Sequence, residues 1–510
     1  MKILLKNGFV VDPSTGLNEV GDIFIENGRF AGMTEPEKTI DLGGRVVMCG
    51  GVDIHSHIAG SKVNMGRMMR PENKLNVPDT HTTGVLYAKM GYTFVTEPAM
   101  PPLKALHTHH ELHDTPFIDN AALALLDNNH FIAENIAEGK KEENNQWVAW
   151  YLAATKGYGI KAVNPAGGIS WEWAKELSDL DEKCERIGVS PREIMTELVR
   201  VNEELKLPTS FHLHLNNLGI YGNSDNTTKS IDICSKGRTH IAHLQLSCYS
   251  GDSWATMASD ADRICKKLNK TDGITCDMGQ VVFGDCTTMT ADGRLEYHLQ
   301  KLTHNKWVNF DVENETGTGV TPYTYSKNVA VNAIQWAIGL ELALLLKPGK
   351  VALSTDHPNC GPFYAYPKII TWLMSKQARD KEFSECNQDA AKRCILPSLD
   401  KELTLYEIAQ LTRSTPASIL GIGHGIKEGN KADIAVYDLH PDERNPGKIE
   451  NAFSDAFLVL KDGGVIYQNK NFRETYGKTI AVEPKYKLDE KYIEDKFYEE
   501  YSVLSEHFKI

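Results

Sequence analysis

Short apolar runs, broken by turn residues, fill the first fifty positions: KILLKNGFVVDPSTG, GDIFIENGRFAGM and KTIDLGGRVVM. Asn-Gly and Pro-Ser-Thr-Gly between such runs predict strands and tight turns, with no helix in this stretch. The same texture returns near the other end, in KADIAVYDL, AFLVLKDGGVIYQN and RETYGKT. It follows LTLYEIAQLTRSTPASILGI, whose apolar positions recur at helical spacing. The two ends are therefore expected to build one small β-domain together.

Between them, apolar runs of strand length alternate with amphipathic stretches, the pattern of repeated β-α units around a parallel sheet. Eight such runs can be read: MCGGVDIH, GYTFVTEP, AALALLD, YGIKAVNP, PTSFHLHL, THIAHLQL, GITCDMGQ and KVALSTDH. Eight parallel strands close into a barrel, and chemistry on a barrel sits at the C-terminal strand ends. The expected class is α/β, a (β/α)8 TIM-like barrel with a small β-sandwich from both termini. The divisions are 1–49 and 413–472 for the sandwich, 50–412 for the barrel and 473–510 for a helical extension. The extension, YKLDEKYIEDKFYEEYSVLSEHFKI, reads as a charged amphipathic helix that packs on a surface or on a partner.

A chain of 510 residues exceeds what one hydrophobic core supports, in keeping with a large domain and a satellite. The 41% hydrophobic and 24% charged composition is that of a soluble globular protein, with no apolar stretch long enough to span a bilayer. MKILLKNGFVVDPSTG turns polar too soon for a signal-peptide core, so a cytoplasmic location and no membrane partner are expected. The net charge of −13 disfavours a nucleic-acid partner. The ten cysteines are scattered without a Cys-x-x-Cys pair, which argues against an iron–sulfur cluster.

Metal-binding side chains recur at the strand ends. His55 and His57 close the first run, and residues two apart on a strand share a face. Lys161 ends the fourth, before Asn164 and a turn; a lysine there is salt-bridged, snorkels its stem to water, or is chemical. The fifth carries His212 and His214, with Asn217 beyond them, and the sixth His240 and His243; in each pair one histidine can be structural. The eighth ends in Asp356 and His357. Any one of these residues alone is a weak signal, but side chains from several barrel strands converge at the mouth.

This set resembles the amidohydrolase superfamily, whose pattern is His-x-His on strand one, lysine on four, histidines on five and six, and aspartate on eight. In the dihydroorotase- and hydantoinase-like subset the lysine is carboxylated and bridges two metal ions. The resemblance implies two zinc ions bridged by carboxylated Lys161, with ligands His55, His57, His214, His243 and Asp356. Asp356 is then the proton shuttle. HLNN aligns His214, in preference to His212, with the ligand-bearing strand-five segment of hydantoinases. His212, His240, Asn164, Asn217 and His357 become supporting or substrate-binding residues.

Longer words narrow the resemblance. GGVDIHSHIAGSKVNMGRMMRPEN, YGIKAVNPAGG, HLHLNNLGIYGN, THIAHLQLSCYSG and STDHPNCGPFYAYPKIITWLMS are similar to the A subunits of formylmethanofuran dehydrogenase and of the formyltransferase/hydrolase complex, over about residues 1–470. That family interconverts N-formylmethanofuran with formate plus methanofuran, so a methanofuran-type coenzyme is the implied substrate and the other subunits of such a complex the implied partners. Cys360 stands where the family is expected to carry a small residue such as glycine. Lys62, Arg67, Arg70 and Lys74 form a basic loop after strand one, able to attract an anionic coenzyme tail. Two rivals stay open: a cyclic-amide hydrolase with the same metals, and a metal-free interaction scaffold.

Overall fold

A computed structural model describes residues 1–127, 129–172, 175–177, 179–290, 292–309 and 319–510. All eight anticipated barrel strands are present: β1 (Gly51–Asp53), β2 (Tyr92–Met100), β3 (Asp119–Leu125), β4 (Gly159–Val163), β5 (Phe211–His214), β6 (Thr239–Ile241), β7 (Ile274–Asp277) and β8 (Val351–Ala352). They lie side by side in chain order, every neighbouring pair parallel. The sheet closes on itself just past β1 and β8, where Ser56 and His357 form a parallel bridge and the His57 N–H donates to the His357 carbonyl at 2.8 Å.

The strands are almost wholly buried on both faces, which is why they read as continuous apolar runs. The two glycines before and at the start of β1 allow its close approach to β2. A Cβ on Gly50 would overlap the Thr93 side chain, and one on Gly51 would meet the Tyr92 ring at 2.6 Å.

The ends build one β-rich domain, as the punctuation of the two termini predicts. Its strands form a single hydrogen-bonded sheet running from Asn471–Phe472 through Ile434–Tyr437 and Val46–Cys49 to Lys2–Asp12 and Leu17–Glu26. Lys2–Asp12 pairs in parallel with Lys38–Asp41 through its first half and with Val46–Cys49 through its second. The domain has its own core, in which Leu5 and Ile23 from the N-terminal segment meet Ile434 and Leu460 from the C-terminal one. The helix Thr415–Leu420 turns instead to the barrel, packing Ala417 and Leu420 against Val52 and Leu123. Buried Arg413 links the units, donating to the Cys49 carbonyl at 3.3 Å and to the Tyr437 hydroxyl.

An antiparallel hairpin, Gly284–Thr290 with Gly319–Tyr325, follows β7 and covers the barrel mouth; it lies outside the eight-strand pattern of the sequence. The tail helix Glu490–Tyr501 inserts Phe497 among Trp147, Trp150 and Phe508. Phe497→Ala should therefore cost about 3–5 kcal/mol, the usual range for emptying a buried phenylalanine site. Reversible denaturant unfolding measures it, and a change near zero would mean the tail is not docked.

Candidate metal centre

At the C-terminal end of the barrel, six of the anticipated side chains line one small pocket: His55, His57, Lys161, His214, His243 and Asp356. Asp356 Oδ1 lies 3.0 Å from His55 Nε2 and 3.3 Å from His57 Nε2, and its Oδ2 is 4.0 Å from His243 Nε2. The His243 ring packs edge-on to both His55 and His214, with centroids 5.2 and 4.7 Å away. All six residues are buried, none more than 5% exposed.

The register shows how the barrel sorts the histidine pairs. Lys161, His212 and His240 stand directly opposite one another on β4, β5 and β6, in one interior layer. His214, two residues further along β5, falls in the layer above, and His243 follows the end of β6 in a left-handed conformation (φ 36°). The upper pair faces the pocket. The lower pair lies beneath it with ring centroids 4.7 Å apart and planes tilted by 44°, and His240 is bonded to Asp277 and Thr275, both at 3.0 Å.

This donor set fits a cation. Lys161 Nζ is buried without a hydrogen-bond partner, as is His243 Nδ1, and His214 Nε2 has the Asp292 carboxylate no nearer than 3.7 Å. Unpaired polar atoms clustered out of water are costly unless something joins them. Burial lowers the pKa of His214 and His243, leaving neutral imidazoles, the ligand form. Burial opposes the ionisation of Asp356, but the His243 and His55 rings outweigh it and hold the carboxyl well below the usual carboxylate range. Burial also lowers the pKa of the Lys161 ammonium to about 8.

Two carboxylates absent from the sequence-based set support the cluster. Glu97, near the end of β2, accepts from His57 Nδ1 at 3.0 Å and from the Ile58 N–H at 2.8 Å, which directs His57 Nε2 into the pocket. Asp277, ending β7, accepts from the His243 N–H at 2.9 Å and the Ser354 hydroxyl, and lies 3.5 Å from His55 Nδ1. Both are charged residues in apolar strand runs, VTEP and TCDMG, as Lys161 is; the structure places Lys161 in the middle of β4 and not at its end.

The other expected residues are placed around this centre. Lys62 lines the pocket, its Nζ 3.8 Å from Glu97. Arg67 is bound to Glu111 and Asn64, both at 2.8 Å, and Arg70 to the Tyr323 carbonyl at 2.8 Å, so both brace the loop, while Lys74 is exposed. Asn164 and Asn217 line a neighbouring crevice that also contains Asp292. His357 does not line the pocket: its carbonyl closes the barrel, and its ring meets Phe363 edge-on at 4.9 Å. Burial depresses the His357 pKa to about 3. Cys360 is fully buried.

A larger, mainly apolar cavity of about 680 Å³ adjoins the centre and reaches exposed Trp254 and Leu302. Tyr323 and Tyr325 of the hairpin, with Leu218 and Leu299, form its walls. Thr290, Asp356 and Asn359 border both spaces and so make the neck between them. Asn359 is fixed there, donating to Asp356 Oδ1 at 2.9 Å and accepting from the Met289 N–H at 2.5 Å.

The amidohydrolase family model matches residues 38–467. The chain belongs to the amidohydrolase family. This amidohydrolase is 42% identical to protein FwdA of Methanocaldococcus jannaschii, over 100% of the chain and 97% of that protein. It is 37% identical to the A subunit of the formyltransferase/hydrolase complex Fhc of Methylorubrum extorquens, over 97% of the chain and 94% of the relative. The crystal structure of that organism's FhcABCD complex with methylofuran contains a chain superimposing with a TM-score of 0.94 at 36% identity, covering 100% of this chain and 96% of that one.

Removing the carboxylate behind His57 tests the supporting role of Glu97. Glu97→Gln should weaken metal affinity by roughly 10- to 100-fold, as loss of an outer partner of a ligating histidine does. Competition against a chromogenic chelator reads this, and unchanged affinity would remove Glu97 from the centre.

Proposed function

We propose that this chain is the formamide-cleaving component of a one-carbon complex, interconverting an N-formylmethanofuran-type coenzyme with formate and the free amine at a dinuclear zinc centre. The observation that carries the reading is a buried set of imidazoles, carboxylate and unpartnered lysine that adjoins a mainly apolar cavity. The full-length likeness to an Fhc A subunit, whose complex holds methylofuran, supports the substrate class and a multi-subunit setting. The described residues include no helix long and apolar enough to cross a membrane.

His55, His57 and Asp356 would hold one ion and His214 and His243 the other, with Lys161 as a carbamate joining both. Lys161 is suited to that step: a pKa of about 8 leaves part of its amine unprotonated near neutrality, able to lose a proton and bond carbon dioxide. When bound, two such ions supply Lewis acidity to a carbonyl and acidify water.

The chain's own groups do the rest. Asp356, ionised and at the neck, accepts the proton of the attacking water and returns it to the leaving nitrogen; formate and amine result. Asn359 holds the Asp356 carboxylate toward that neck. Glu97 keeps His57 in the tautomer whose Nε2 faces inward. Lys62 provides a cation in the pocket where formate's charge appears. The apolar cavity receives the coenzyme body and excludes water from it.

Formate release by the zinc-loaded protein should be seen with N-formylmethanofuran and not with a hydantoin or a dihydropyrimidine. Ring opening without formate release would instead identify a cyclic-amide hydrolase. Asp356→Asn should lower turnover by roughly 10²–10⁴ while retaining metal. Because the Lys161 ammonium is lost as pH rises through about 8, zinc reconstitution of the apo-protein should become more bicarbonate-dependent and faster from about pH 7 to about pH 9, and Lys161→Ala should abolish that dependence. A bicarbonate-independent reconstitution would count against the carbamate.

A further inference from the structure

A second donor cluster lies at the opposite end of β1. One donor atom from each of Asp12, Cys49 and His424 falls within 4.8 Å of the other two. The three come from three chain segments. Asp12 ends the long N-terminal strand, Cys49 ends the strand that leads into β1, and His424 follows the helix Thr415–Leu420 on the way into the C-terminal part of the β-domain. Asp12 and Cys49 are buried, and His424 is half-buried.

The segments are held at close range. Asp12 Oδ2 accepts from the Ile426 N–H at 2.6 Å and from the Thr15 hydroxyl at 2.7 Å, and Oδ1 from the Ser14 N–H at 3.0 Å. Gly425 makes the approach possible: its φ of +102° is open to glycine, and a Cβ there would meet Ser14 Cβ at 2.7 Å. The His424 ring, by contrast, is loosely held, with Nδ1 3.5 Å from the Ser14 hydroxyl and Nε2 3.3 Å from the Gly50 carbonyl, both long for hydrogen bonds.

We propose that Asp12, Cys49 and His424 bind a zinc-class divalent cation that clamps both terminal segments to the entry of the barrel. Sulfur, imidazole and carboxylate are the ligand types of zinc, and solvent completes a fourth position on the half-exposed His424 side. Binding releases the Cys49 thiol proton; thiolate and carboxylate then offset the charge of the dication. The ion would join residues far apart in sequence, the arrangement in which a metal clip restricts the unfolded chain most.

Cobalt(II) gives a readout specific to this site, because the six-residue barrel pocket has no thiol among its proposed ligands. Titrating the purified chain with cobalt(II) should produce a thiolate-to-cobalt charge-transfer band. Cys49→Ser should lose the band, and His424→Ala, changed at a half-exposed position, should bind at least about tenfold more weakly, no less than loss of a supporting residue costs. Cys49→Ser should carry one metal fewer than the parent, and both variants should still release formate. No band at saturating cobalt, a band that survives Cys49→Ser, or unaltered affinity in His424→Ala would each overturn the proposal.

Discussion

Closing eight parallel strands into a barrel takes the interior positions at its mouth out of water, and in this chain several of those positions are polar. Lys161 is the clearest case: its amine is buried, lacks a hydrogen-bond partner and is surrounded by imidazoles and the Asp356 carboxylate. A lone buried ammonium is strongly disfavoured, so such a residue persists only where its chemistry is used or its charge is met. The six-residue cluster depends on that constraint, and so does the shell that orients it.

The shell is layered. Glu97 holds His57 from one side, Asp277 faces His55 from another, and His240 with His212 occupies the layer below. Above, the hairpin after β7 provides the cavity wall, and Asn359 connects its backbone at Met289 to Asp356. The barrel supplies fixed directions for these side chains, while the inserted hairpin shapes the cavity beside them. This division suits a fold in which one centre is combined with different substrate cavities.

Much of this is legible in the sequence because its signals are local. All eight barrel strands fall on apolar runs of the sequence, and the β-rich ends are marked by turn dipeptides. Convergence of His55, His57, Lys161, His214, His243 and Asp356 follows from strand-end placement once the parallel order is read. Register is not legible, so the inward roles of His214 and His243 come from resemblance and not from spacing. The hairpin leaves no local mark because its pairing spans a long insertion, Gly284–Thr290 against Gly319–Tyr325, without a short turn between them. Glu97 and Asp277 also close apolar strands, but a carboxylate there carries the same sequence signature whether it orients a histidine or simply meets a charge. The engagement of Arg67 by Glu111 and of Arg70 by the hairpin carbonyl of Tyr323 depends on partners distant in sequence.

Diffraction from crystals of the native protein, recorded on either side of the zinc absorption edge, addresses the central claim most directly. Two anomalous peaks in the pocket of His55, His57, Lys161, His214, His243 and Asp356, with continuous density extending from Lys161 Nζ between them, are the predicted result. A metal-free pocket at full zinc supply, or two ions beside an unmodified Lys161 amine, would contradict it.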